Sequence, residues 1–362
     1  MHVKRLLLRD YRNYEELSLD MKEGINIFYG DNAQGKTNLL EAVFFCATGR
    51  SHRTTNEKEC IRHGKDETLI SLVYEIRGKE EKIDISLKKR GRKIIRVNDY
   101  PIHKISELIG RFHVVVFSPE DLSIIKSSPL LRRKFIDMEL SQMDAVYLHD
   151  LQQYYHVLKQ RNELLKDTGD RKALTDTIFA WDRQLVYYGI RIMKRREAFV
   201  KKLEEYTARI HSEITAGSKQ KEIMTIRYAP QAPMEEETFL EALERHLDRD
   251  MRLGNTGDGP QHDDMIISLN GVEVRTYGSQ GQQRTSALSL KLAELQMMKD
   301  ETGEAPVLLL DDVMSELDRQ RQMQLSAYIK DHQTILTCTG VEDSIRSLPD
   351  CDLYHVSEGR IL

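Results

Sequence analysis

Residues 30–37 read GDNAQGKT. They fit G-x-x-x-x-G-K-[ST], in which a glycine-rich turn points backbone N–H groups at a phosphate chain. The flanks meet the physical requirement. INIFY (25–29) is an apolar run of strand length. TNLLEAVFFCA (37–47) puts apolar side chains at 39, 40, 43, 44 and 47, the spacing of a helix face. A strand, a glycine turn and a helix in that order aim the positive end of the helix dipole at the phosphates. Gly30 lets the strand turn, and Gly35 permits close approach. Asp31, Asn32, Ala33 and Gln34 carry the loop backbone between them. Lys36 reaches the β- and γ-phosphates, Thr37 ligates Mg2+, and Asn38 completes the first helical residues. The expected ligands are ATP and Mg2+. GTP is disfavoured because no N-K-x-D base-reading motif is present.

VLLLDD (307–312) is an apolar strand ending in two carboxylates. A buried parallel strand explains the apolar run, and ligands in α/β sheets sit at the carboxyl ends of such strands. Asp311 is expected in the Mg2+ shell. Asp312 is expected to face the attacking water as general base or water-orienting group, with Lys36 as the other catalytic residue.

Composition narrows the class. The chain has 362 residues, 40% hydrophobic and 31% charged, so a soluble globular protein of two domains, or one domain with an insertion, is expected. No apolar run is long enough to span a bilayer, and MHVKRLLLRDYRNY lacks a signal-peptide cleavage site. The expectation is a cytoplasmic protein without a membrane partner. Cys46, Cys60, Cys338 and Cys351 form no C-x-x-C pair and read as reduced structural thiols. The net charge of −4 conceals an asymmetry: residues 1–221 carry 41 Lys+Arg against 32 Asp+Glu, and the remainder is acidic. Uneven solvation and a face offered to a polyanion both account for this.

Along the chain, 3–9 and 25–29 read as strands, and 69–97 alternates as an antiparallel meander. HVVVF is another strand. From Ser127 the periodicity becomes helical. One segment runs through Tyr147, Tyr154, Leu158 and Leu165, is broken by TGD at 168–170, and is followed by a second from about 172 to 214. Two long segments of 35 to 45 residues are expected to pair antiparallel over roughly 50 to 65 Å. Their aromatics, including Trp181, Tyr187 and Tyr188, read as core. The expected fold is α/β: a P-loop core sheet plus an antiparallel β subdomain, with an inserted α-helical subdomain. The expected divisions are 1–126, 127–221 and 222–362.

GSQGQQRTSALSLKLAEL, from Gly278, places Ser279, Gly281 and Gln282 at the start of a helix about thirty residues before the Asp pair. Alone it is either an anion site or an ordinary N-cap. SELD (315–318) follows the pair. In this order, G-x4-GKT, S-x-G-Q-x-R, the apolar strand ending in DD, and SELD resemble the ABC-type ATPase heads of the SMC and RecF group. RDYRNY, GRSHRTTNEKECIRHG, FSPEDLSIIKSSPLLRRKFIDMELSQ and LLLDDVMSELD look specifically like the RecF family, and such stretches run from end to end.

The resemblance implies that Ser279, Gly281 and Gln282 contact the γ-phosphate held by a second copy, and that Asp318 lies at the dimer seam. It implies an ATP-driven homodimer that binds single-stranded and junction DNA and hydrolyses ATP slowly. It further implies action with RecO and RecR to place RecA on gapped DNA in repair and replication, supporting the SOS response. Two departures favour a switch over a motor. Thr339 stands where many such ATPases carry a His, and Ser118-Pro119-Glu120 stands where they often carry a Gln.

Candidate DNA contacts are Lys88, Lys89, Arg90, Arg92 and Lys93 at a hairpin tip, for which a solvated turn is the alternative, and Arg50 and Arg53, for which packing around the nucleotide is the alternative. An SMC-type chromosome organiser needs far longer arms than an insertion of about 95 residues. A transporter ATPase subunit leaves RDYRNY, the basic tip and the distance in sequence from Thr37 to Asp311 unexplained.

Overall fold

The structure, a computed structural model, describes residues 1–166, 171–216, 221–340 and 351–362, the side chains of 171–176, 316 and 320 excepted. Packing divides the described chain into two compact units, Met1–Asp121 with Glu294–Leu362, and Leu122–Ala293.

The first unit begins with β1 (His2–Tyr11), β2 (Tyr14–Asp20), β3 (Ile25–Tyr29) and α1 (Lys36–Thr48). It continues through β4 (Glu67–Ile76), β5 (Lys79–Lys88), β6 (Ile94–Val97), β7 (Tyr100–Ile102) and β8 (Val114–Phe117). An antiparallel sheet runs in the order β2-β1-β4-β5-β6-β7. The alternating pattern sets its register: Leu6 pairs with Leu72 and Leu72 with Ile83, so one face is a continuous buried apolar row. The expected meander is present. Tyr14–Asp20, which the sequence reading passed over, is its edge strand.

The second unit holds α2 (Leu122–Lys126), α3 (Pro129–Met143), α4 (Ala145–Leu165), α5 (Arg171–Ile214), β9 (Met224–Ala229) and α6 (Glu236–Leu253). Then come β10 (Asp264–Leu269), β11 (Val272–Glu273), α7 (Val274–Tyr277) and the first turns of α8 (Gln280–Thr302). The first expected long segment is two helices. The break is at Asp144, whose carboxylate accepts from the N–H groups of Val146 and Tyr147 and caps α4. The 21 residues of α4 therefore reach only about 30 Å, while the 44 of α5 reach about 66 Å. Ion pairs fix the antiparallel sense: Arg161 with Asp182, Arg191 with Asp150, and Arg195 with Asp144. The expected break at 168–170 lies outside the described residues. Tyr187 departs from the expected core role: it is 56% exposed, with the Arg191 guanidinium over its ring.

β9, β10 and β11 form a small antiparallel sheet. Met224, Ile226 and Tyr228 bury one face of β9, which packs on α5. That apolar face needs cover. Packing accordingly groups residues 222–293 with the helices, whereas the sequence divisions at 126/127 and 221/222 followed changes in local periodicity.

The first unit resumes with β12 (Val307–Asp311), α9 (Val313–Glu316), α10 (Arg319–Ile329), β13 (Thr334–Cys338), β14 (Cys351–Ser357) and β15 (Arg360–Ile361). Its central sheet has the order β15-β14-β3-β13-β12-β8 and is parallel except at β15. Burial on both faces explains why VVVF, the VLLL of β12 and TILTC carry no charge and are mostly apolar. α1 packs against strands of both sheets, so it is apolar on nearly every side, with Leu39, Val43, Phe45 and Cys46 fully buried. No described helix is long and apolar enough to cross a membrane.

Candidate functional site

β3, β13 and β12 lie side by side and end together. The loop after β3 and the acidic pair after β12 therefore share one edge of the sheet, although 274 positions separate Thr37 from Asp311. A cleft of about 340 Å³ opens there, lined by Asn32, Ala33, Gly35, Lys36, Thr37, Asn38, Arg53, Asp311, Asp312 and Thr337. The Lys36 ammonium, on a nearly buried side chain, donates to the carbonyls of Gly30 (2.6 Å) and Asp31 (2.7 Å), so it is held at the loop itself. The Thr37 and Thr337 hydroxyls each donate to Asp311 Oδ1 at 2.8 Å. Asp312 takes φ 52°, ψ 23°, a left-handed conformation costly for a non-glycine residue, and its N–H donates to the Thr337 carbonyl. That turn puts Asp312 in the wall of the cleft.

The loop is braced from behind. Gly30 has φ 149°, and a Cβ there would stand 2.3 Å from the Val356 carbonyl oxygen. Gly35 has φ 115°, and a Cβ there would strike the Asn13 amide. Asn13 donates to the Gln34 carbonyl at 2.8 Å and accepts from Asn38 at 2.8 Å. The Tyr14 hydroxyl donates to the Gly35 carbonyl. On the other side, the N–H of Glu358 reaches Gln34 Oε1 and that of Gly359 reaches the Gln34 carbonyl. Beneath α1, the Arg12 guanidinium binds the fully buried Glu41 carboxylate at 2.9 and 2.6 Å, with Ser51 as a further donor. Burial works against the Glu41 charge, but the bonds from Arg12 and Ser51 outweigh it and hold its pKa below the ordinary carboxylate range. RDYRNY, legible only as a family marker, is thus the buttress of the phosphate loop. Thr337 was also missed. It lies in β13, whereas Thr339, singled out in the sequence, is exposed in the bend after that strand.

The basic candidates separate. Lys89, Arg90 and Arg92 are exposed at the tip between β5 and β6. Lys88 lies 3.4 Å from Glu67. Lys93 turns inward to the Glu57 carboxylate and the Gly49 carbonyl, each at 2.7 Å. Arg50 is exposed, while Arg53 lines the cleft and donates to Asn38 Oδ1. Glu120 follows β8, the neighbour of β12, and is exposed. Asp318 caps α10, accepting from the Arg321 N–H at 2.9 Å.

Ser279, Gly281 and Gln282 belong to the Leu122–Ala293 unit. There they form a capping box on α8. The Ser279 N–H donates to Gln282 Oε1 at 2.9 Å, and the Gln282 N–H donates to Ser279 Oγ at 3.3 Å. The N-cap geometry is therefore present, with Ser279 and Gly281 exposed.

The sequence model of the RecF/RecN/SMC N terminal domain matches residues 2–344. The "DNA replication and repair protein RecF" of Lachnoclostridium phytofermentans is 46% identical over 362 residues, covering 100% of this chain and 99% of that protein. The chain belongs to the RecF family. The Clostridium perfringens RecF is 44% identical with the same coverage. A solved structure of the recombination mediator protein RecF-ATPrS in the RecFOR pathway is 35% identical, with a TM-score of 0.91, covering 99% of this chain and 97% of that one. An Smc head bound to the C-winged helix domain of ScpA is 15% identical with a TM-score of 0.58, a likeness of fold alone. The fold of this RecF-family chain is thus the α/β head of SMC-type ATPases.

Proposed function

We propose that this RecF-family chain is an ATP-controlled DNA-binding recombination mediator in repair and replication. ATP closes a homodimer on gapped or junction DNA, and the closed form works with RecO and RecR to load RecA and supports the SOS response. The observation that carries the reading is the convergence of the Lys36 ammonium, the Thr37–Asp311 pair and the strained Asp312 in one cleft at the carboxyl edge of a parallel sheet. A RecF relative solved as RecF-ATP supports ATP as the ligand.

The residues present fit Mg2+. No cluster of three His, Cys, Asp or Glu occurs among the described residues, but Mg2+ needs few protein ligands, usually one or two carboxylates beside phosphate oxygens. A hydroxyl and a carboxylate oxygen 2.8 Å apart, both hard donors, answer that demand. Thr37 and Asp311 would hold the ion, whose chemistry is to neutralise charge on the phosphates. Loop N–H groups and Lys36 bind the phosphate chain. Asp312 orients water and accepts its proton. Ser279, Gly281 and Gln282 meet the nucleotide of the second copy, which completes each site only in the dimer. With Thr339 and Glu120 in place of the groups common in faster ATPases, ATP acts as a latch with weak turnover. The protein works in the cytoplasm.

The test measures mass by sedimentation and affinity for a gapped duplex, with and without ATP and Mg2+. Both are expected to rise with ATP. Mass and affinity that ignore ATP would overturn the reading.

A further inference from the structure

The side chain of Gln282 has a tether outside its own helix. Its Nε2 donates to Glu222 Oε1 at 2.8 Å. The other oxygen of Glu222 lies 3.4 Å from His211 Nε2, and His211 Nδ1 lies 3.0 Å from Ser289 Oγ. Ser289 belongs to α8, two turns after Gln282, and His211 to the last turns of α5. A chain of polar contacts therefore runs from the foot of the long helix to the loop expected to meet the second copy, wholly within Leu122–Ala293.

The chain is rigidly placed. Asn270, at φ 50° in the β10–β11 turn, clamps both neighbours of Glu222. Its Oδ1 accepts from the Ile223 N–H at 2.9 Å, its N–H donates to the Ile223 carbonyl at 2.9 Å, and its Nδ2 lies 3.4 Å from the Lys221 carbonyl. His211 is fully buried, and burial pushes its pKa down, so the ring is neutral. The Ser289 hydroxyl has one proton to share between the Thr285 carbonyl, 2.8 Å away, and His211 Nδ1. When it serves Nδ1, the ring proton sits on Nε2 and faces the Glu222 carboxylate. In that tautomer the Nε2 proton faces Glu222 Oε2 across 3.4 Å, a polar approach short of a hydrogen bond, while Gln282 binds the other oxygen.

We propose that Glu222 is a positioning residue for ATP-driven dimer closure: it fixes the Gln282 amide that the second copy's nucleotide meets, and through His211 ties that amide to helix α5. This rests on the proposed dimer.

The experiment is a double-mutant cycle on the full chain with Glu222→Ala, Gln282→Ala and the double variant, reading the ATP concentration that half-saturates dimerisation. Affinity of the monomer for a fluorescent ATP analogue is read in parallel. Glu222→Ala is expected to raise the half-saturating ATP about tenfold and leave monomer affinity unchanged. In the Gln282→Ala background, adding Glu222→Ala is expected to change nothing further. Glu222→Gln, isosteric and still an acceptor for Gln282, is expected within about twofold of wild type; the His211 ring can move its proton to Nδ1 to accommodate it. Additive single effects, or equal damage from Glu222→Gln with an intact circular dichroism spectrum, would overturn the inference. Wild type that dimerises with ATP while Glu222→Ala matches it would overturn this inference alone. Wild type that stays monomeric with ATP would remove the proposed function and this inference with it.

Discussion

The phosphate loop and the Ser279–Gln282 loop are both glycine-containing turns at helix starts, and they are built in opposite ways. The first is locked: Asn13, Tyr14 and Gly359 hold its backbone, Glu358 holds the Gln34 side chain, and Arg12 clamps the buried Glu41 of its helix. In the second, Ser279 and Gly281 are exposed, and its bonds include two mutual cap bonds and a tether at Glu222. A site whose parts come from one chain can be pre-organised by that chain. On the proposed dimer, the second loop is a half-site for another copy and has to keep its contact atoms on the surface.

The locked loop can be broken most severely at its cation. Lys36→Ala is expected to weaken ATP binding about a thousandfold and abolish ATP-driven dimerisation with it, read by titration of a fluorescent ATP analogue. ATP affinity within a few-fold of wild type would show that the brace alone makes the site.

Removing the brace comes next. Arg12→Met leaves the Glu41 carboxylate buried without its main partner and is expected to cost roughly 3 kcal/mol in urea unfolding. The pH dependence follows from the same pair. The folded pKa of Glu41 is lowered, so its contribution is present above the ordinary carboxylate pKa and is lost as pH falls through the folded value. In Arg12→Met burial then dominates and raises the folded pKa, so Glu41 destabilises above that value and its share of the acid loss should disappear or reverse. An unshifted acid limb would show that Ser51 and Arg53 carry Glu41 between them.

Asp312→Asn tests the chemistry without the lock. Turnover is expected to fall about a hundredfold while the ATP-bound dimer persists in sedimentation. Ser279→Arg, at the exposed loop, is expected to do the reverse. The dimer weakens about tenfold or more and monomer ATP affinity holds, because the substituted side chain clashes only with a second copy. If Ser279→Arg also lost monomer binding, the contrast between the loops would fail.

The smallest effect belongs to the basic tip, where the same division recurs. Neutralising the exposed Lys89, Arg90 and Arg92 is expected to lower DNA affinity a few-fold to tenfold and to reduce the salt slope by about two. Lys93→Gln, which disrupts the inward contact to Glu57, should leave the salt slope unchanged. Equal slopes for both variants would remove the tip from the DNA face.

Local patterns in the sequence were sufficient for much of this. Strand, turn and helix around 30–37, the apolar strand ending in Asp311-Asp312, the meander and the α8 start are each encoded within a short window, where periodicity and glycine placement carry the information. The break at Asp144 was missed because apolar periodicity continues across it and only a cap marks it. Tyr187 was assigned to the core because its spacing is helical, but periodicity does not say which face is covered.

The motifs already assigned Thr37 and Asp311 to one Mg2+, but how that meeting is built, and the other long-range partners, were left to the tertiary structure. Thr37 meets Asp311 only because β3, β13 and β12 are adjacent and parallel. Asn13 braces Gly35, and Lys93 serves Glu57 rather than solvent, because the sheets bring those residues together. The grouping of β9–β11 with the helices is of the same kind. The physical reason is that backbone conformation is set over a few residues by sterics and apolar spacing, whereas burial and hydrogen-bond partners are set by which surfaces the folded chain lays against each other.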